Sequence, residues 1–186
     1  MINLIYPQPV FFFFSILYRK DLISTQELNL ILQDKLGLDE QHILSSEYSH
    51  DLSRYYEKEM GPAESLSRYW VFRTNTSPRE ELAALKIASR QLEKALREEF
   101  RVTGRVVNID PGFLSLEQLV LSTCKPYSHR LYSERGVYLE LTYEFKANNY
   151  HSLPWTYPDY RESSVINFFN GVRLKLKEHL KNHKNG

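Results

Sequence analysis

The chain has 186 residues, 24 basic against 23 acidic side chains and a formal net charge of +1, so it lacks the basic excess that non-specific nucleic-acid binders carry. Its single cysteine, Cys124, excludes an intramolecular disulfide framework and fits a reducing compartment. The length suits one domain spanning residues 1–186, large enough to bury a core without staples.

The first element is the apolar run VFFFFSIL at Val10–Leu17. No Lys or Arg precedes Arg19, and Pro7 and Pro9 interrupt the approach, so it is not read as a signal peptide. It is also far shorter than the ~20 residues that span a bilayer as a helix. Four consecutive Phe leave no polar face, which predicts a central strand covered on both sides. The protein is therefore expected to be cytoplasmic and free of membrane.

Ser24-Thr25-Gln26-Glu27 is a capping box. Leu28, Ile31, Leu32 and Leu36 line one face of the helix it starts, and Gly37 ends it. His42–Tyr48 is a short strand candidate, and 49–67 is expected to be irregular. Arg68–Phe72 predicts another strand. Ser77-Pro78-Arg79-Glu80 offers an N-cap Ser, a Pro at the first helical position and a Glu at the third. The helix that follows should run to about Phe100, with Leu82, Leu85, Leu92 and Leu96 facing inward.

Arg105–Ile109 is read as a strand ending in the turn chemistry of Asp110-Pro111-Gly112. Leu116–Ser122 is a further strand, with or without a helical turn first. His129–Ser133 and Val137–Phe145 should pair across the loop Glu134-Arg135-Gly136. Residues 146–162 read as a connection, and Ser163–Lys181 as a helix with the stripe Val165, Phe169, Val172, Leu176 and Leu180. The order strand, helix, strand, strand, helix, strand predicts an α+β fold. It is expected to have a ferredoxin-like (split βαβ) core with an added β-hairpin and a C-terminal helix.

Chemistry concentrates between 105 and 145. Asp110, entering a turn, and His129, which titrates near neutral pH, are the candidate acid/base pair. Arg105, Lys125 and Arg130 would hold a phosphate or carboxylate. Glu140 would join them if its face of the strand carries the site. If their segment is helical, Tyr55 and Glu59 share a face at i, i+4 and would border a base or sugar. Each has a plainer reading: an Asx turn for Asp110, a solvated loop for Lys125 to Arg130, a wet sheet face for Glu140, and a loop pinned by its own side chains for Tyr55 and Glu59. Cys124 with His129 reads less well as a nucleophile and base than as a small hydrophobe beside a strand.

There is no GxxxxGK[ST] loop, GxGxxG, CxxC, HExxH or EF-hand spacing. His50-Asp51 alone does not make the helical phosphohydrolase site that carries this dipeptide. Metal and cofactor are left unassigned.

Taken together, YYEKEMG, VNIDPGFL, LVLSTCKPYSHRLY, GVYLELTYEF and WTYPDYR resemble the bacterial family known as domain of unknown function 4416, over nearly the whole chain. The resemblance implies a single-domain, soluble bacterial protein, and it implies no reaction. Lys125, His129 and Arg130 fit the family pattern. Where the family reads Ala-Ser-Thr-Lys-Asp, this chain reads Ser122-Thr123-Cys124-Lys125-Pro126, which argues against a role for Cys124 or for the residue after the lysine.

Three function classes follow. The first is a protein that binds, or acts on, a small anionic or phosphorylated ligand such as a nucleotide. The second is a non-catalytic structural or interaction protein using its aromatic surface, with a homo-oligomer open. The third, least favoured by the charge balance, is an RNA-binding module.

Overall fold

A computed structural model describes residues 6–49 and 53–182, without the side chains of 49 and 53–55. Its elements are β1 (Val10–Arg19), α1 (Thr25–Leu36), β2 (Ile43–Leu44), β3 (Tyr48–Ser49), α2 (Ser53–Met60), β4 (Leu66–Ser77) and α3 (Leu82–Glu99). They continue with β5 (Val107–Leu114), β6 (Gln118–Thr123), β7 (Arg130–Glu134), β8 (Val137–Lys146), β9 (Asn149–Ser152) and α4 (Ser163–Asn182). Among the described residues the nine strands form one sheet in the order β2-β4-β1-β5-β6-β8-β7, with β3 on β4 and β9 on β8. Every pairing is antiparallel. The fold is thus mixed α and β, with helices on both faces of an antiparallel sheet. No helix of the described residues is long and apolar enough to cross a membrane.

The Phe run is the centre of this sheet, between β4 and β5. Phe12, Phe14 and Ile16 pack with Leu28, Leu32 and Leu36 of α1 and with Leu82, Leu85, Leu92 and Leu96 of α3. Phe11 and Phe13 point the other way, onto Val165, Phe169, Val172 and Leu176 of α4. A strand buried on both faces has no wet side for alternating polar residues; Ser15, the polar residue that follows the run, is buried and accepts from Arg68. Ser24 and Glu27 form the reciprocal capping box, and Gly37 closes α1.

Several local expectations change. Asp110-Pro111-Gly112 is not a turn: it lies inside β5, with Pro111 opposite Phe14 and Asp110 opposite Ser15. Beyond Gly112 toward its N-terminal end, β5 has no ladder with β6. The Pro111 carbonyl faces that side and accepts a 2.6 Å bond from Ser122 Oγ. A residue's N–H and C=O point the same way in a strand, so the missing proline N–H falls where no ladder needs it. Gly112 is required by close approach, since an added Cβ would sit 2.5 Å from both the Phe13 ring and the Val120 carbonyl.

Residues 53–60, expected to be irregular, form helix α2. The strand at His42–Tyr48 is instead the two short strands β2 and β3. Ser77 ends β4 rather than capping a helix, and a 3-10 turn over Arg79–Glu81 leads into α3. The β7–β8 turn has two residues, Arg135 and Gly136, both at positive φ, the geometry that follows strand twist. Ala147-Asn148 makes a second such turn inside the expected connection and adds β9. In β8 a register shift breaks strict alternation: Leu141 pairs with Val120, but Tyr143 pairs with Leu119. Leu141 therefore packs on the α1/α3 side and Tyr143 on the α4 side.

Candidate functional site

The parting of β5 from β6 opens the sheet at one end. A bare strand edge carries unpaired N–H and C=O groups that need partners. Here α3 supplies them. Glu93 Oε1 accepts the Ile109 N–H at 2.8 Å, and Lys86 Nζ donates to the Ile109 carbonyl at 3.2 Å. The same ammonium lies 2.7 Å from Asp110 Oδ1, and both Lys86 and Glu93 are buried. Asn108 Nδ2 donates to Asp110 Oδ2 at 2.7 Å, and Arg105 Nη1 donates to Asn108 Oδ1 at 2.7 Å. Arg105 Nη2 also faces Glu59 Oε2 at 3.3 Å.

Burial opposes ionisation of Asp110, but Lys86, the Asn108 amide and the charge of Arg68 outweigh it and hold the carboxyl below the usual aspartate range. Glu93 goes the other way. Burial pushes its pKa up, and Lys86 and the Ile109 N–H only partly offset that.

This gap is the floor of a cavity of about 360 Å³, within the size range of small-ligand sites. Asp110, Arg105, Lys125, Arg130 and Glu59 line it, as do Lys86, Arg90 and Asn108. Tyr56, Tyr127 and Tyr157 supply aromatic walls. Burial raises the Tyr56 pKa to about 12, Arg68 working against the shift. Glu59 reaches the cavity because α2 ends against the α3–β5 connection: Arg105 N donates to Glu59 O at 2.6 Å. Only glycine fits beside it, since a Cβ on Gly104 would clash with that carbonyl.

Tyr157 is placed by the segment after β9. Trp155 Nε1 donates to the Leu141 carbonyl at 2.7 Å, Thr156 Oγ1 to the Thr142 carbonyl at 2.6 Å, and the Tyr143 hydroxyl to the Tyr160 carbonyl. Behind Tyr157, Arg68 is buried, donating to Ser15 Oγ at 2.6 Å and pairing with Asp159 at 2.8 Å.

His129 and Glu140 stand apart from the cavity wall. The Glu140 carboxylate is 2% exposed and takes Arg130 Nε at 2.7 Å and His129 Nε2 at 3.1 Å. It is a buried anchor, not a wet-face residue. The His129 ring stacks on Trp155 with centroids 5.0 Å apart and planes at 10°, and the Tyr127 ring meets it tilted, with centroids 5.0 Å apart. Arg130 links anchor and cavity: its Nη1 donates to the Lys125 carbonyl and its Nη2 to the Tyr157 hydroxyl, each at 3.0 Å. The side chain of Tyr55 lies outside the described residues.

So Asp110, Arg105, Lys125, Arg130 and Glu59 share one cavity, and His129 and Glu140 support it from behind Arg130. Sequence reasoning missed Lys86, Arg90 and Glu93. They sit on a helix whose apolar stripe dominates the pattern, and a buried Lys and Glu at i and i+7 on the inward side were the available signal. Among the described residues no group of three or more His, Cys, Asp or Glu side chains is placed to hold a metal ion.

Comparison with curated proteins and with solved structures returns no match. The model of one family matches residues 8–175, nearly the whole chain. This protein therefore belongs to the family described as domain of unknown function (DUF4416).

Proposed function

We propose that the cavity between β5 and β6 binds a small anionic ligand that carries a planar ring, a nucleotide being the type. The observation that carries this reading is the lining itself: Lys86, Arg90, Arg105, Lys125 and Arg130 against Glu59 and Asp110, with three tyrosines on the walls. Cations in a recessed site attract phosphate or carboxylate, and tyrosine faces stack on planar rings. Binding is favoured over turnover. Asp110 is held ionised by its partners, which makes it a poor base, and His129 is engaged with Glu140 and Trp155.

The same reading takes the core as ferredoxin-like. Support comes from β1 lying between β4 and β5, both antiparallel to it, with α3 joining those two strands. An exposed free Cys124 suits a cytoplasmic setting.

Calorimetric titration with nucleotides and sugar phosphates tests the binding. Among the described residues Lys125 has no ion-pair partner. Lys125→Gln should leave stability unchanged and weaken binding about tenfold, the worth of one charge-assisted hydrogen bond. Wild-type protein that binds none of these compounds removes the proposal.

A second reading, self-association, has its own observation. Leu131 and Tyr132 on the outermost strand β7 are 76% and 62% exposed, and an exposed apolar edge strand invites pairing. Light scattering of wild type and Leu131→Lys decides it: a dimer lost in the variant supports the reading, and a monomeric wild type ends it.

A further inference from the structure

A second hollow of about 620 Å³ lies along the outer side of α3, lined by Ile87, Arg90, Gln91, Lys94 and Arg97. It is continuous with the ligand cavity, because Arg90, Arg105 and Cys124 line both. Arg90, Lys94 and Arg97 fall at i, i+4 and i+7, so they share one helix face and span roughly 10 Å along its axis. All three are exposed. Arg97 has no ion-pair partner among the described residues, and Lys94 has only the exposed Glu98 at 3.8 Å. Glu93, the carboxylate of this hollow, is buried and accepts the Ile109 N–H through Oε1, while its Oε2 lies 4.0 Å from Arg90 Nη1, a long contact that leaves Arg90 only partly balanced.

Charge and aromaticity are thus divided between the two lobes. The inner lobe holds the tyrosines and two carboxylates already paired with its cations, Glu59 with Arg105 and Asp110 with Lys86. The mouth and the outer lobe are cationic with no aromatic ring.

We propose that the outer lobe is a second anion subsite: the ring of the ligand sits among the tyrosines, and a chain of two or more phosphates runs past Arg90 and Arg105 onto Lys94 and Arg97. This rests on the inner cavity being a ligand site and names the class of ligand more closely. A polyanionic tail suits the outer lobe because each further phosphate meets a further cation, while a single phosphate is already satisfied at the mouth.

The test is calorimetric titration of the full chain with orthophosphate, tripolyphosphate, a nucleoside monophosphate and the matching triphosphate. It compares wild type with Lys94→Gln/Arg97→Gln, an exposed pair whose replacement leaves the core untouched. Wild type is expected to prefer the longer chain, and the double variant to lose about tenfold or more for it, with the monophosphate unchanged within about twofold, since two charge-assisted contacts are removed from the tail alone. Alkylation of Cys124 by a maleimide, which reports on the shared mouth, should be slowed by tripolyphosphate in wild type and much less in the variant. Monophosphate binding without preference for the longer chain, or a variant identical to wild type, overturns the second subsite and leaves the inner site standing. Binding of none of the four overturns both. Single-stranded oligonucleotides that bind more tightly than the triphosphate overturn the proposal in favour of nucleic acid.

Discussion

Lys86 and Asp110 meet across the open edge of β5. The lysine belongs to α3, whose apolar stripe packs on one face of the sheet. Asp110 shares its strand face with Leu114, which packs on the α4 side. Their 2.7 Å contact is made where the sheet has no β6 strand to block it, so one ion pair ties the two layers together at the floor of the cavity.

Removing the cation from this pair should be costly. Lys86→Met leaves Asp110 charged without its main partner and strips a donor from the Ile109 carbonyl. Breaking a fully buried pair costs about 3–5 kcal/mol, and the partial exposure of Asp110 lowers the expectation to about 2–3 kcal/mol. Urea unfolding measures it. Lys86→Met/Asp110→Asn should recover part of the loss, because no unpaired charge remains.

Asp110 also sets a pH dependence. Its folded pKa lies below the ordinary 3.8, so its stabilisation is fully present above that value and is lost as the pH falls through the folded pKa. The stability gap between wild type and Asp110→Asn should be widest at neutral pH and close below about pH 4. A gap independent of pH between 3 and 7, as order-of-magnitude bounds, would show that charge is not what Asp110 contributes.

Glu93 has the opposite sign. Its folded pKa is raised above 4.5, so wild type loses stability as rising pH forces the buried carboxyl to ionise. Glu93→Gln keeps an acceptor for the Ile109 N–H and carries no charge. Its melting temperature relative to wild type should rise as the pH is taken from about 4 to 8. A difference that stays constant or falls would contradict the assignment.

Phe169 is fully buried and its ring touches Phe13, Trp70, Phe72, Tyr143 and Tyr160. Phe169→Ala should cost about 3–5 kcal/mol in chemical denaturation. A loss below about 1 kcal/mol would mean that α4 does not seal this face of the sheet.

Gly112 offers a small-to-large test. A methyl there meets the Phe13 ring and the Val120 carbonyl, so Gly112→Ala should destabilise by about 1–3 kcal/mol. Gly136, with open space around its missing Cβ, cannot serve as a simple control because its φ is +78°. Gly171, open and without that strain, should tolerate Ala without loss.

What the sequence by itself determined was set by local periodicity and capping. The Phe run announced a strand covered twice, Ser24 to Gly37 carried the limits of α1, and the stripe from Val165 to Leu180 named the inner face of α4. The clustering of Arg105, Asp110, Lys125 and Arg130 was legible as density of charge within one stretch of chain. Tertiary structure decided the rest. Pro111 and Gly112 have turn chemistry, yet β1 pairs through them, because the proline N–H is missing on the side that β6 has left and the glycine makes room for Phe13. Glu140 reads as a surface residue by alternation, yet Arg130 and His129 close over it. Lys86 and Glu93 enter the site only because β5 and β6 part and leave backbone groups that some side chain must satisfy. A sequence pattern records which face a residue turns to its own element. It carries no record of where two strands separate, and that separation is what makes the cavity.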